Sequence, residues 1–178
     1  TLLLKGIEKG RLIDEKVIIN SITRGMHTYR DYDEFLRAAE NPELRFVVSN
    51  TTEAGIVYDE NDKLEDRPQY SFPGKVTAFL YHRYKHFKGD KSKGLLFLPC
   101  ELIDKNGEEL KRIVLKLAED WKLEEGFSQW VEEANVFYNT LVDRIVPGYP
   151  KEKAEEILEE LGYEDDFLVE GEHFHLWV

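Results

Sequence analysis

Three short polar clusters in this sequence hold the residue types that bind small molecules. They are Ser49-Asn50-Thr51-Thr52-Glu53, Cys100-Glu101, and Asn139 with Asp143 and Arg144 in the stretch NTLVDRIVPGYP. Hydroxyl and amide groups exchange hydrogen bonds with ribose hydroxyls and phosphate oxygens, and carboxylates accept from hydroxyls. The same residues are also ordinary turn and helix-cap chemistry. Taken singly, Asn50, Thr51 and Thr52 therefore read as caps as readily as ligand contacts. Asp143-Arg144 reads as a structural ion pair or helix-end anchor ahead of a catalytic pair. Glu101 is either a loop charge or a contact. Cys100 has no base in sight for nucleophilic work and reads as a small apolar filler. His173 and His175 would share one side of a strand, yet no third ligand completes a metal pattern.

These clusters need elements to position them. Arg45–Asn50 and Gly94–Pro99 read as short buried strands, and Ala134–Val142 as a third strand-like run. Between the first two, Ser71 and Pro73 start a helix whose buried stripe is Val76, Phe79, Leu80, Tyr84 and Phe87. The basic residues of HRYKHFKGDKSK are expected at its solvated end, where cations suit the helix dipole. Asn106 is expected to cap a second helix, with Glu109 completing a capping box and Leu110, Ile113, Val114, Leu117, Ala118 and Trp121 on one face. A short helix carries Phe127, Trp130 and Val131. Another runs from Pro150 to Leu161 and ends at Gly162. The run Leu2-Leu3-Leu4 is strand-like, the tail from Asp166 is extended, and YDENDKLEDRPQ is a polar loop with too few apolar residues to pack.

Strand alternating with helix predicts an α/β fold with a mainly parallel sheet flanked by helices, in a single domain over residues 1–178. In such sheets ligands bind at the carboxyl ends of the strands. All three polar clusters would meet on that edge if the strands run parallel.

Composition narrows the function. A chain of 178 residues with 42% hydrophobic and 34% charged residues is globular, and its net charge of −12 argues against nucleic acid and anionic membranes as partners. One cysteine excludes an internal disulfide framework, and no apolar run approaches the ~20 residues of a membrane span. A cytoplasmic location is expected. The apolar opening and closing runs are those of a piece of a longer chain, whose missing parts are then its first partners. There is no G-x-G-x-x-G, P-loop, G-x-S-x-G, H-E-x-x-H or C-x-x-C motif. The residues alone lead to a nucleotide-binding-like α/β domain without a named reaction.

The segments FVVSNTTEAGIVYDE, SFPGKVT, GLLFLPCELIDKNGEEL, ANVFYNTLVDRIVPGYP and EHFHLWV stand in an order and spacing that resembles the mannitol dehydrogenase family of long-chain polyol dehydrogenases. The SNTTEAGI, FPGK and PGYP versions are similar to its tagaturonate reductase (altronate oxidoreductase) branch. The resemblance implies a partial Rossmann-like NAD-binding domain of a dehydrogenase or reductase acting on CH–OH groups. The reaction would be hydride transfer between NAD(H) and a sugar acid, D-tagaturonate to D-altronate, without a metal. It implies that Asn139 faces the substrate while Asp143 and Arg144 hold the strand end. It also implies that Asn50, Thr51, Thr52, Glu53 and Glu101 lie on the cofactor side. The family's catalytic lysine belongs to a C-terminal helical domain and its Gly-rich turn to the start of the cofactor domain. Neither pattern is matched here, so this segment alone is expected to be inactive, with no catalytic residue of its own. Two rival readings stay open: a sister specificity (fructuronate reductase or a mannitol dehydrogenase), and a non-catalytic α/β binding module.

Overall fold

The computed structural model describes residues 1–141, 145–172 and 178. It falls into two compact units, one built from Thr1–Gly25 with Asp143–His175 and one from Met26–Val142 with Leu176–Val178.

The second unit holds the candidate site. Strands β3 (Phe46–Ser49), β4 (Leu96–Pro99) and β5 (Val136–Phe137) form a parallel sheet in that order. Phe46 pairs with Leu96, which pairs with Val136, and Ser49 lies opposite Pro99. Helices α2 (Phe72–His86), α3 (Asn106–Asp120) and α4 (Glu125–Ala134) supply the crossovers, as the alternation predicts. The third strand is shorter than the sequence indicates, because only two residues join the ladder, extended by one bond from Tyr138 N–H to the Phe97 carbonyl. Helix α1 (Tyr32–Ala38) is not signalled by the sequence pattern.

One face of the sheet forms the core. Leu110, Ile113, Val114, Leu117 and Ala118 recur at helical spacing on α3 and are all buried, together with Leu80, Leu95, Phe127 and Val131. Phe97 stacks on Phe137 with ring centroids 4.4 Å apart. The alternate residues point the other way, and Phe46, Val48, Val136 and Tyr138 are 39–63% exposed. A parallel sheet is ordinarily covered on both faces, so this one presents an apolar face still open.

Helix α2 starts as expected: the Ser71 hydroxyl accepts from Gly74 N–H at 2.9 Å, with Pro73 in the first turn. What precedes it corrects the sequence reading. The loop of residues 59–70 is not loosely solvated, because it packs through polar groups. Buried Asp62 accepts from Tyr70 N–H and Ser71 N–H, and buried Gln69 donates to the carbonyls of Lys63, Leu64 and Asp66. Arg83 is a second correction. It is fully buried, and its guanidinium donates to the carbonyls of Lys93, Ala39, Asn41 and Leu44. The planar fork satisfies four backbone acceptors from two stretches of chain, residues 39–44 and Lys93, which no solvated cation at a helix end would do.

The first unit is small. Strands β1 (Leu2–Glu8) and β2 (Arg11–Val17) form a hairpin, and β6 (Val169–Glu172) pairs parallel with β1. The two-residue turn Lys9-Gly10 takes φ of 49° and 78°, the left-handed pair that a twisted hairpin demands. Helix α5 runs Ala154–Leu161, beginning later than Pro150 because Pro150–Lys153 forms a separate turn, and it ends at Gly162 with φ 75°. Leu3, Ala154, Ile157 and Leu168 make the core of this unit.

Candidate functional site

The carboxyl ends of β3, β4 and β5 lie side by side, which brings Ser49–Glu53, Cys100-Glu101 and Asn139 to one edge of the sheet. Two buried polar side chains and one exposed amide stitch that edge together.

Glu101 is the first stitch. It leaves the end of β4 with only 2% of its surface exposed, and its carboxylate turns back to the end of β3. Ser49 Oγ donates to one oxygen at 3.0 Å. The backbone N–H and the hydroxyl of Thr51 donate to the other, at 3.0 and 2.9 Å. A buried carboxylate is tolerated only when its lone pairs are met, and here three donors meet them. The sequence pointed to a cofactor contact; the structure directs this side chain inward, to the loop that follows β3.

Asn106 is the second stitch. The expectation was a helix cap, but Lys105 occupies the cap position with φ 51°. Asn106 is 1% exposed, and its amide donates to the carbonyls of Pro99 and Glu101 at 3.0 Å while accepting from Thr140 N–H at 3.0 Å and Gly107 N–H at 2.9 Å. It therefore ties β4 to the chain leaving β5. Gly107 is needed beside it, since a Cβ there would stand 2.2 Å from the Tyr138 carbonyl oxygen. The Asn-Gly pair opens α3, as the sequence indicates, and also lets the start of α3 approach the chain leaving β5 closely.

Asn139 is the third. Its Oδ1 accepts from Glu108 N–H at 3.0 Å and its Nδ2 donates to Glu108 Oε1 at 2.9 Å. The end of β5 thus caps the first turn of α3. The Asn139 amide, followed by Lys105, holds the Glu108 carboxyl below the usual carboxylate range. An amide has two donors and two acceptor lone pairs, so among the described residues one of each on Asn139 is left uncommitted.

Around these stitches the surface is concave. A cleft of about 420 Å³ is lined by Glu101, Ile103, Asp104, Lys105, Asn139, Thr140 and neighbouring leucines. A second of about 540 Å³ shares Ile103, Asp104 and Lys105 and continues to Glu53 and Arg112. Asn50, Thr51, Thr52 and Glu53 are exposed at the end of β3. The Thr51 hydroxyl is committed to Glu101 and the Thr52 hydroxyl accepts from Ala54 N–H, whereas the Asn50 amide has no hydrogen-bond partner among the described residues. Cys100 donates weakly to the Leu98 carbonyl, and burial pushes its thiol up from the ordinary range, in keeping with a filler. Asp143, Arg144, His173 and His175 lie outside the described residues.

Sequence reasoning missed Asn106, Glu108 and Thr140 as parts of the site. The repeated small polar residues at strand ends were the available signal; their partners depend on strand register.

No helix among the described residues is long and apolar enough to cross a membrane. Comparison with known proteins agrees with the architecture. Altronate oxidoreductase of Bacillus subtilis (strain 168) is 57% identical over 178 residues, covering all of this chain and 37% of the relative. Altronate oxidoreductase of Shigella flexneri is 50% identical over 179 residues, again across the whole chain and 37% of the relative. The chain therefore spans little more than a third of the length of these relatives. Among solved structures, the mannitol 2-dehydrogenase of Pseudomonas fluorescens superposes with a TM-score of 0.72 at 18% identity, over 98% of this chain and 37% of that one. A D-sorbitol dehydrogenase gives 0.64 at 24% identity, over 83% and 32%. These two likenesses establish the fold. Residues 7–178 match the model of the mannitol dehydrogenase Rossmann domain, and the chain belongs to that family.

Proposed function

We propose that this chain is the cofactor-side portion of an NAD-dependent oxidoreductase that interconverts D-tagaturonate and D-altronate by hydride transfer. The observation that carries the reading is that the exposed residues 50–53 and Asn139 stand at the carboxyl ends of parallel strands, where dinucleotides bind, beside clefts that Asn139 and Glu53 line. Identity of 57% to an altronate oxidoreductase across the full chain supports the substrate class. The solved mannitol 2-dehydrogenase, a complex with NAD and D-mannitol, supports the cofactor.

The residues present suit NAD. The end of β3 offers an unengaged amide and exposed hydroxyl-bearing residues, and the edge is stitched from beneath so that those groups keep their places. Asn50, Thr51, Thr52 and Glu53 would hold the dinucleotide, which supplies the hydride. Asn139, held by Glu108 through one lone pair and one proton, uses its remaining donor and acceptor to orient a sugar hydroxyl or the carbonyl oxygen. Asp104 and Lys105 line the mouth between the cleft and its extension.

The test is an NADH-oxidation assay on the full-length protein, with D-tagaturonate, D-fructuronate and D-fructose offered separately. Turnover of D-tagaturonate far above the other two is expected. Preference for either of the others would move the substrate to a sister dehydrogenase, and no oxidation with any of them would refute the reading.

A further inference from the structure

The sequence expectation put Glu101 in contact with the cofactor, but the geometry points to a different role. Glu101 borders the cleft, but its carboxylate is buried and both of its oxygens are engaged by the end of β3. All three of its donors belong to Ser49 and Thr51, which bracket Asn50. One of them is a backbone N–H, so the carboxylate fixes main-chain direction at the first residue after the strand-end asparagine. The strand ladder itself stops short of this point: Ser49 opposite Pro99 is the last pair, followed by one bond from Cys100 N–H to the Ser49 carbonyl at 2.6 Å. Beyond it, residues 50–53 have no sheet bond to hold them. Apart from the Glu101 carboxylate, the anchors of this loop among the described residues are its own turn bonds, from Gly55 N–H to the Thr52 carbonyl at 2.9 Å and from Ala54 N–H to the Thr52 hydroxyl at 3.3 Å.

We propose that Glu101 is a positioning residue that sets dinucleotide affinity without touching the dinucleotide, by anchoring Thr51 and so fixing the loop of residues 50–53. The proposal rests on the reading of that loop as the NAD side of the site. A loop ordered before binding does not lose conformational entropy when the ligand arrives, so the anchor acts on cofactor affinity. It has little leverage on the sugar, which meets the separately anchored Asn139.

The experiment uses the full-length protein and compares wild type with Glu101→Ala, Glu101→Gln and Ser49→Ala. NADH binding is followed by fluorescence titration, alongside KM for NADH, KM for D-tagaturonate, kcat and the thermal midpoint. Glu101→Ala is expected to weaken NADH binding about tenfold, the size of one or two lost buried hydrogen bonds. KM for D-tagaturonate and kcat at saturating NADH are expected to stay within about threefold. Glu101→Gln keeps an acceptor for Thr51 and a donor for Ser49 Oγ, so it should recover most of the affinity although the charge is gone. Ser49→Ala, which removes one bond and leaves the carboxylate held by Thr51, keeps the question answerable if Glu101→Ala fails to fold; a two- to fourfold loss is expected. Unchanged NADH affinity in a folded Glu101→Ala, or in Ser49→Ala should Glu101→Ala not fold, would overturn the proposal and leave the cofactor reading standing. Equal losses in NADH affinity, sugar KM and kcat would also overturn it, as the mark of general destabilisation. A wild-type protein that binds no NADH would overturn both.

Discussion

Asn139 and Glu108 grip each other twice, amide oxygen to backbone N–H and amide nitrogen to carboxylate, so that the end of β5 caps the start of α3. The same amide is the one proposed to meet a substrate. A capping role and a binding role in one side chain make its removal visible in two separate measurements.

Asn139→Ala should lower stability by about 1 kcal/mol, the usual cost of a lost cap. Thermal unfolding of wild type and variant would show it. If Asn139 also orients the sugar, KM for D-tagaturonate in the full-length protein should rise at least tenfold, an effect that a cap alone does not produce.

The lowered pKa of Glu108 makes the cap pH-dependent. Its carboxyl binds protons more weakly in the folded chain than in the unfolded one, so the stabilisation is present above the ordinary glutamate pKa. It is lost as pH falls through the lower folded value. Wild type should therefore exceed Glu108→Gln in thermal midpoint at neutral pH, with the gap closing as the pH falls below the ordinary glutamate range. A gap that persists in acid would mean that the carboxylate is not the source.

Arg83 is a structural cation whose loss should be severe. Arg83→Ala strands four carbonyls, that of Ala39 buried and the other three partly so, and opens a cavity, with an expected cost on the order of 3 kcal/mol by urea denaturation. Arg83→Lys should recover little of it, since an ammonium cannot present the fork that reaches Lys93, Ala39 and Leu44 together.

The open apolar face of the β3-β4-β5 sheet predicts association of the 178-residue chain with itself. Phe46, Val48, Val136 and Tyr138 form a contiguous patch that water does not favour. Sedimentation should show mass rising with concentration, and Val48→Lys should shift it toward monomer without lowering the thermal midpoint by more than a few degrees. A monomer at every concentration would count against the patch being adhesive.

Much of this protein could be read from neighbouring residues alone. The stripe from Leu110 to Ala118 fixes α3, Ser71 and Pro73 fix the start of α2, and the apolar runs FVVS and LFLP fix two strands, because periodicity and capping are local properties of a chain. Their alternation also brought the polar clusters to one edge, since parallel strands share a direction. The sequence could not show which groups on that edge meet one another. Glu101 reaches Ser49 and Thr51 only because β3 pairs with β4 in a register that puts Ser49 opposite Pro99. Asn106 abandons the cap position because Pro99 and Thr140 converge on it from two strands. Arg83, which looks like one more basic residue at a helix end, is buried because α1, β3 and the turn at Lys91–Lys93 leave carbonyls around it. In each case the partner lies more than five residues away, commonly thirty or more. Burial turns a polar side chain from a solvated group into a structural bond, and only the tertiary fold decides burial.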